Sequence, residues 1–393
     1  MLIASLKGLK AKNTDLSQYW QENAITIDPL QMFDTTGKGG WFLGSPDEFA
    51  LKKKIEQNGK PLKDWDIKIN YGIKTGLNEA FIIDTATKER LCQQDPKSAE
   101  IIKPILRGRD IKRYGYKWAD LWVINAHNGY VAETTVFPKN NNNKTFNNNG
   151  DTVVASTKIL PIDINDYPAI KNHLDQFEPA LSKRSDKGKT PYNLRHCAYL
   201  EEFQKEKVVY QEITQGSCFT YDSNGEFFVS NTGYLITGCN LKFLTGTLNS
   251  KLINFAYKQF YCTTLGENGV RWLKQHMDEL PIPLLETPKK QDLAKQIEAL
   301  VEEILRVKNI VVQTTVFPKN NPQLTADPFT SNETKQSGNI HLLRGQVADL
   351  GVVSITDLES QIDQLVYQLY DLSPEQIALV EGQVNNETYK KQL

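Results

Sequence analysis

The spacing of hydrophobic positions changes at about residue 287, and this change divides the sequence into two parts. Between about residues 65 and 283, short apolar runs alternate with polar turns, which is typical of short strands and their connections. After Thr287 apolar residues recur every three or four positions, which predicts helices with one buried face. Two such stripes occur: Leu293, Ile297, Leu300, Val301, Ile304 and Leu305, then Leu358, Ile362, Leu365, Val366 and Leu369.

These two stripes predict two long helices that pair as an antiparallel, coiled-coil-like hairpin. Two shorter helices are predicted at 46–58 and after residue 373. In both, a serine and a proline precede Glu48 or Gln376 at capping-box spacing. Further helices are predicted over 168–181 and 241–260 from apolar residues at helical spacing.

The fold class that follows is α+β. We expect a connector over residues 1–44, which contain no long periodic element. A mixed α/β domain is expected over 45–285, followed by a helical hairpin region over 286–393.

One octamer, TTVFPKNN, occurs twice, at Thr134–Asn141 and Thr314–Asn321. A structural repeat would repeat its hydrophobic pattern over 20 or more residues, whereas these flanks are polar and unlike each other. We interpret the copies as parts of two loop insertions, at 131–158 and 311–352, and exclude them from the candidate sites.

Charge and cysteine content limit the classes of function. With 46 basic and 47 acidic residues, the net charge of −1 argues against a highly basic, non-specific nucleic-acid binder but permits a local basic face. Five scattered cysteines without CxxC spacing predict reduced thiols, a cytoplasmic protein and no zinc site. No apolar run approaches the roughly 18 residues of a membrane helix.

Two basic stretches are candidates for contact with DNA. The first, LRGRDIKRYGYKW (106–118), interleaves cations with aromatic residues, and the second, LSKRSDKGKTPYNLR (181–195), is a glycine- and proline-bearing loop. Either stretch could equally be a solvated surface. The candidate DNA-binding residues are Arg107, Arg109, Lys112, Arg113, Lys183, Arg184, Lys187 and Lys189, and less strongly Arg195, Arg271 and Lys274.

A nuclease is the alternative suggested by the residues themselves. Asp47, Asp66 and Lys68 resemble the spacing of PD-(D/E)xK nucleases, in which two carboxylates hold Mg²⁺ and a lysine helps to activate water. However, Asp47 falls in the first turn of a predicted helix, where an acidic residue is favoured by the helix dipole alone.

Several long segments, in the same order along the chain, resemble a known family. DPKSAEIIKPILRGRDIKRY, RSDKGKTPYNLRHCAY, EKVVYQEI, RWLKQHMDELPIP and IDQLVYQLYDLSPEQIALVE are similar to the C-terminal target-recognition part of type IIG restriction–modification enzymes. This part is the TaqI-like C-terminal specificity domain of adenine-specific DNA methyltransferases. The resemblance extends from about residue 40 to residue 382, outside the two octamer segments.

The resemblance implies sequence-specific binding of double-stranded DNA. Adenine methyltransferases of this family carry a Pro-Pro catalytic loop, and this sequence contains no Pro-Pro dipeptide. We therefore expect a chain that is not catalytic by itself. S-adenosylmethionine and Mg²⁺ are expected only on a methyltransferase or endonuclease partner, which the helical hairpin would dock. A non-functional fragment of a type IIG enzyme is the further alternative.

Overall fold

The computed structural model describes residues 45–136, 153–262, 269–315 and 354–382, together with 2–3, 17–18, 21 and 25–26. For residues 133–136, 153–155 and 309–315 only the backbone is described. The statements that follow concern these residues.

The structure alternates short strands with helices up to residue 282 and is helical after residue 288. The strands are β1 (Leu2–Ile3), β2 (Ile25–Thr26), β3 (Lys60–Pro61), β4 (Ile67–Tyr71), β5 (Ile82–Asp84), β6 (Ile102–Leu106), β7 (Ile111–Lys112), β8 (Gly115–Tyr116), β9 (Leu121–Ile124), β10 (Tyr130–Val136), β11 (Val153–Ile159), β12 (Lys207–Gln211), β13 (Ile213–Thr214), β14 (Phe219–Asp222), β15 (Phe228–Val229), β16 (Gly233–Gly238), β17 (Val270–Arg271) and β18 (Pro281–Ile282). The α-helices are α1 (Pro46–Asn58), α2 (Asn78–Phe81), α3 (Thr85–Gln94), α4 (Pro168–Asp175), α5 (Ala180–Lys183), α6 (Leu241–Asn249), α7 (Lys251–Ala256), α8 (Lys274–Met277), α9 (Pro288–Thr315), α10 (Ile355–Leu369) and α11 (Pro374–Val380).

Two four-stranded sheets form the centre of the molecule. The first has the order β14-β12-β16-β4, with every neighbouring pair antiparallel. The second has the order β15-β6-β9-β5, and in it only β15 and β6 are parallel. The predicted α+β class is confirmed.

The first sheet separates two hydrophobic cores. Neighbouring side chains on a strand point to opposite faces. Accordingly, Val208 and Tyr210 lie in one cluster, which we call the first core, while Val209 lies in the other, the second core. All three are at most 1% exposed, so β12 is buried on both faces.

The first core also contains both long helices. Ile297 on α9 and Ile362 on α10 are buried there together with Leu248 on α6. Gly246 on α6 faces both long helices, because a Cβ added there would lie 2.5 Å from Ile297 and 3.7 Å from Ile362. The long helices thus share a core with the first sheet. The division at residue 286 and the coiled-coil geometry stay predictions.

The helix starts predicted from the two capping-box sequences are confirmed. The Oγ of Ser45 accepts from the N–H of Glu48 at 3.2 Å, and the Glu48 carboxylate accepts from the N–H of Ser45 at 2.8 Å. Ser373 and Gln376 form the same reciprocal pair at the start of α11. Each box satisfies amides that a helix terminus leaves unpaired.

Two predicted helices are interrupted. The helix expected over 168–181 ends at Asp175 and resumes at Ala180, because Pro179 between them has no N–H to donate. The helix expected over 241–260 breaks at Ser250, whose extended backbone lets its hydroxyl cap α7 through Ile253 N–H.

The structure differs from the predicted loop insertion at 131–158. Strands β10 and β11 pair antiparallel from Tyr130–Ile159 to Val136–Val153, so Thr134 and Thr135 of the first octamer lie in a ribbon. Residues 137–152 lie outside the described residues. In the second copy, Thr314 and Thr315 are the last residues of α9, so the helix continues past residue 311, where the loop insertion was predicted to begin. Residues 316–353 lie outside the described residues. The predicted connector 1–44 is described only at the four short stretches noted above, where β1 pairs with β2.

Candidate nucleic-acid interface

The first basic stretch begins with a fixed arginine. Arg107 follows β6, and its Nε and Nη2 donate to the two carboxylate oxygens of Asp110 at 2.9 and 2.7 Å. Asp110 is 4% exposed and also accepts from the Arg107 backbone N–H at 2.9 Å. This carboxylate raises the pKa of Arg107 and holds its guanidinium in one orientation.

The next two cations of this stretch face outward. Arg109 is exposed, and its guanidinium makes no ion pair or hydrogen bond within the described part of the chain. Lys112 is exposed as well, and its Nζ donates to the Arg109 carbonyl at 2.7 Å. The Arg109 guanidinium and the Lys112 ammonium group are therefore accessible to an anionic partner.

Arg113 faces inward instead. Its Nε lies 2.6 Å from Glu359 of α10, and its Nη1 donates to the carbonyl of Asn249 at the end of α6. The Arg113 carbonyl in turn accepts from Lys308 of α9. Burial lowers the pKa of that lysine. Arg113 thus ties the basic stretch to three helices.

Arg184 organises the second basic stretch from inside. It is 6% exposed, and its guanidinium donates to four carbonyls: those of Thr75, Asp186, Pro191 and Asn193. Burial lowers its pKa to about 10. The hydrogen bonds to these carbonyls come from both Nη atoms, and Nε has no partner among the described residues, so Arg184 supports the loop that carries the other cations.

The remaining cations of the second stretch are exposed. Lys187 Nζ donates to the Ser182 carbonyl at 2.6 Å, and Arg195 lies 3.2 Å from Asp186. Within the described residues, the ammonium groups of Lys183 and Lys189 make no ion pair or hydrogen bond.

The two basic stretches are joined through a third loop, residues 72–78. Thr75 accepts from Arg184 on one side. On the other side Ile73 donates to Val229 at 2.7 Å. The turn after Val229 then reaches the first stretch, where Gly108 N–H donates to Thr232 Oγ1 at 2.8 Å. We call the segments 72–78, 106–113, 182–195 and 228–233 the loop cluster.

A cleft opens inside the loop cluster, between Gly108 and the β15–β16 turn. It encloses about 410 Å³. Its lining includes five polar side chains and one exposed apolar residue: Asn78, Arg107, Arg109, Gln211, Asn231 and Ile213. A Cβ at Gly108 would lie 2.3 Å from the Thr232 carbonyl, so the floor requires glycine.

The last two candidate cations are both paired. Arg271 binds Glu212 of the cleft wall, with its Nη2 2.6 Å from Oε1. Lys274 pairs with Asp278 at 2.7 Å and lines a separate groove of about 420 Å³ that also contains Lys63, Lys68 and Lys205.

The residues of the nuclease alternative have other partners. Lys68 lies 3.4 Å from Glu202, and Asp66 accepts from the Cys239 thiol at 3.3 Å. Asp47 lies in the first turn of α1. Among the described residues, no three His, Cys, Asp or Glu side chains are grouped as metal ligands would be.

Sequence reasoning missed part of the cleft. Asn78 comes from a segment recognised only as a glycine-rich turn. Gln211 ends β12 and Asn231 lies in the turn between β15 and β16, and neither has a charge to mark it. A pattern of uncharged polar residues after strands was the available signal, and it is weak.

Comparisons with known proteins identify a related family. Residues 103–282 match the family described as the TaqI-like C-terminal specificity domain. The chain is 21% identical over 254 residues to the type II methyltransferase M.BstVI of Geobacillus stearothermophilus, covering 63% of this chain and 39% of that protein. The family resemblance seen in the sequence is confirmed for the matched residues.

Two solved structures are also similar. One is the type IIL restriction–modification enzyme MmeI in complex with DNA, at 14% identity and a TM-score of 0.48, covering 85% of this chain and 36% of that one. The other is the type IIG restriction endonuclease BpuSI, at 12% identity and a TM-score of 0.34, covering 83% and 34%. The chain thus spans under two fifths of the length of each of these relatives. No helix among the described residues is long and apolar enough to cross a membrane.

Proposed function

We propose, from the premise that residues 103–282 are a TaqI-like C-terminal specificity domain, that this chain binds double-stranded DNA in a sequence-specific manner. In a restriction–modification system it would direct an adenine-specific methyltransferase or endonuclease to its site. S-adenosylmethionine and Mg²⁺ would belong to that catalytic partner.

The observation that carries this proposal is the continuity of the loop cluster. Contacts through residues 72–78 join loops that are some 80 residues apart in sequence and that carry the exposed cations Lys74, Arg109, Lys183 and Lys189. Cations on one connected surface can neutralise several phosphates of one duplex, although the whole chain has a net charge of −1. The paired cations around them hold the loops in place.

The long helices support the proposed partner contact. The cleft between them exposes Leu300 and Leu365 beside Gln296 and Gln364, an apolar strip with a polar border. Such a strip is suited to contact with a protein surface. We expect the catalytic partner to bind there.

The experiment that tests DNA binding is a titration of labelled duplex with the full chain at several salt concentrations. We expect affinity to fall steeply with salt, with a slope of roughly 0.9 per phosphate contact. The double variant Lys183→Ala/Lys189→Ala should weaken binding and lower that slope by about 2.

The matched control is Lys53→Ala, an exposed lysine on α1, outside the loop cluster. It should leave both affinity and slope unchanged. Equal loss in the control and the double variant, or no duplex binding by the unaltered chain, would contradict the proposal. Transfer of labelled methyl groups to DNA by the purified chain would contradict the assignment of chemistry to a partner.

A further inference from the structure

The cleft in the loop cluster differs chemically from the cations around it. A site for phosphate needs donors and positive charge. Besides Arg107 and Arg109, this cleft offers the amides of Asn78, Gln211 and Asn231, each with both a donor and an acceptor, and an apolar side chain, Ile213, that is 48% exposed.

Several of these groups are available to a ligand as far as the described residues show. Among the described residues, the side chains of Arg109, Gln211 and Asn231 make no hydrogen bond. Asn78 Oδ1 accepts from Thr75 Oγ1 at 2.6 Å, which fixes its amide plane and leaves its Nδ2 hydrogens available. Polar groups presented from a fixed frame suit recognition, because little conformational freedom is lost on binding.

The frame itself is rigid. Arg107 is held by two bonds to Asp110, which use two of its five N–H donors. Thr232 Oγ1 accepts from Gly108 N–H at 2.8 Å and lies 2.9 Å from Ser230 Oγ. The one carboxylate in the cleft, Glu212, is paired with Arg271 and so repels an approaching nucleic acid less.

The geometry points to this cleft as the place where base edges are read, with Arg109, Gln211 and Asn231 as specificity-determining residues. Arginine bonds guanine O6 and N7 in a bidentate manner, and asparagine or glutamine bonds adenine N6 and N7. Ile213 can contact a thymine methyl group. This inference rests on the proposed function, since it assigns a role within DNA binding.

The test selects bound duplexes from a random-sequence library with the full chain and with single variants. Arg109→Ala, Gln211→Ala and Asn231→Ala should each relax the preference at one or two neighbouring base pairs. Discrimination there should fall by roughly tenfold or more, while other positions of the motif keep theirs. The control is Lys112→Ala, exposed on the same stretch and outside the cleft, which should weaken all sequences equally.

A second variant tests the chemistry directly. Gln211→Glu keeps the side-chain shape but removes the donor, and a carboxylate accepts from cytosine N4. We expect the preferred base at the affected position to change towards cytosine. If each variant unfolds at the same temperature as the unaltered chain, the substitution has left the cleft intact.

The outcomes separate the two proposals. If the unaltered chain selects a motif and all cleft variants select the same motif with equal discrimination, the assignment of the cleft is wrong and DNA binding stands. If the unaltered chain selects no motif, the proposed function fails and the assignment fails with it.

Discussion

The Nε atom of Arg113 lies 2.6 Å from Oε1 of Glu359, and this ion pair connects the basic stretch 106–113 with helix α10. Lys308 of α9 donates to the Arg113 carbonyl beside it. Glu359 also interacts electrostatically with Lys308, so its charge acts on two cations from different elements. The position of the loop that we propose faces DNA is coupled through these bonds to both long helices, where we expect the catalytic partner to bind.

Glu359→Gln should destabilise the protein by about 1–3 kcal/mol, because it keeps the side-chain shape but removes the charge that offsets Arg113 and Lys308. Thermal unfolding measures this loss. Glu303→Gln is the control, since among the described residues Glu303 pairs with the exposed Arg306 on the same helix as Lys308. Arg113→Ala in addition to Glu359→Gln should cost less than the sum of the single changes. Additive losses would argue against the coupling.

Arg184→Lys should lower both the unfolding temperature and DNA affinity. A lysine has three donors on one nitrogen and cannot reproduce the planar fork that binds four carbonyls. The neighbouring exposed Lys183→Ala should lower affinity alone. An Arg184→Lys variant with unchanged unfolding and reduced affinity would instead indicate direct contact of Arg184 with DNA.

Asp222→Ala should be among the most destabilising single changes, at roughly 3–5 kcal/mol. Lys207 is 0% exposed, and its Nζ lies 2.6 Å from Asp222 Oδ2, so the change leaves a buried ammonium without its counter-charge. Asp222→Asn should cost less, because its amide oxygen can still accept from the N–H of Phe227. Chemical denaturation compares both with the exposed control Asp166→Asn. Equal effects of all three would contradict this view of the pair.

Gly246→Ala should loosen the contact between α6 and α9. The added methyl group would lie 2.5 Å from Ile297 and 3.0 Å from Val301, and this overlap outweighs the gain of about 1 kcal/mol in helix propensity. We expect a net loss of up to about 2 kcal/mol in the free energy of unfolding. Gly216→Ala, where the nearest atom would be 3.7 Å away, is the control. A stabilised Gly246→Ala protein would show that the helices can move apart at no cost.

Stability should fall as the pH is lowered below about 6.5. Burial lowers the pKa of His173, and likewise of His127, below their ordinary value of 6.5. Below that pH the unfolded chain takes up protons that the folded chain does not, which costs up to about 1.4 kcal/mol per pH unit for each histidine. Above it both states are neutral and the effect disappears. Between pH 7.5 and 5 the unfolding temperature of His173→Gln should decline less than that of the unaltered chain. His196→Gln, at an exposed histidine, is the control.

Local signals in the sequence predicted local structure well. The capping boxes at Ser45 and Ser373 formed because a hydroxyl and a carboxylate or amide three residues later suffice to make them. The helix expected over 241–260 broke because Ser250 caps the second half, an alternative that the apolar spacing cannot reveal. The ribbon at residues 130–159 escaped prediction because the asparagine-rich sequence between its strands favours a loop, although Val153, Ala155 and Ile159 fall at alternate positions of β11.

The candidate interface was predicted in outline only. Charged residues marked both basic stretches, but the sequence could not show which cations form hydrogen bonds within the protein. Arg184 binds carbonyls, and a carbonyl is present at every position of a chain, so its acceptors leave no mark in the residue pattern. The amides of Gln211 and Asn231 become neighbours through the pairing of β12 with β16.

The first sheet, which borders both cores, limits where related chains could exchange their proposed DNA specificity. A graft cut at residues 103 and 282 would transplant Val208 and Leu248 but leave Leu51, Ile297 and Ile362 of the same core in the recipient. In such chimaeras the two parts of the first core would come from different proteins, and their side chains would not pack well together. A recombination border placed outside residues 45–382 would move the reading surface together with the interior that supports it.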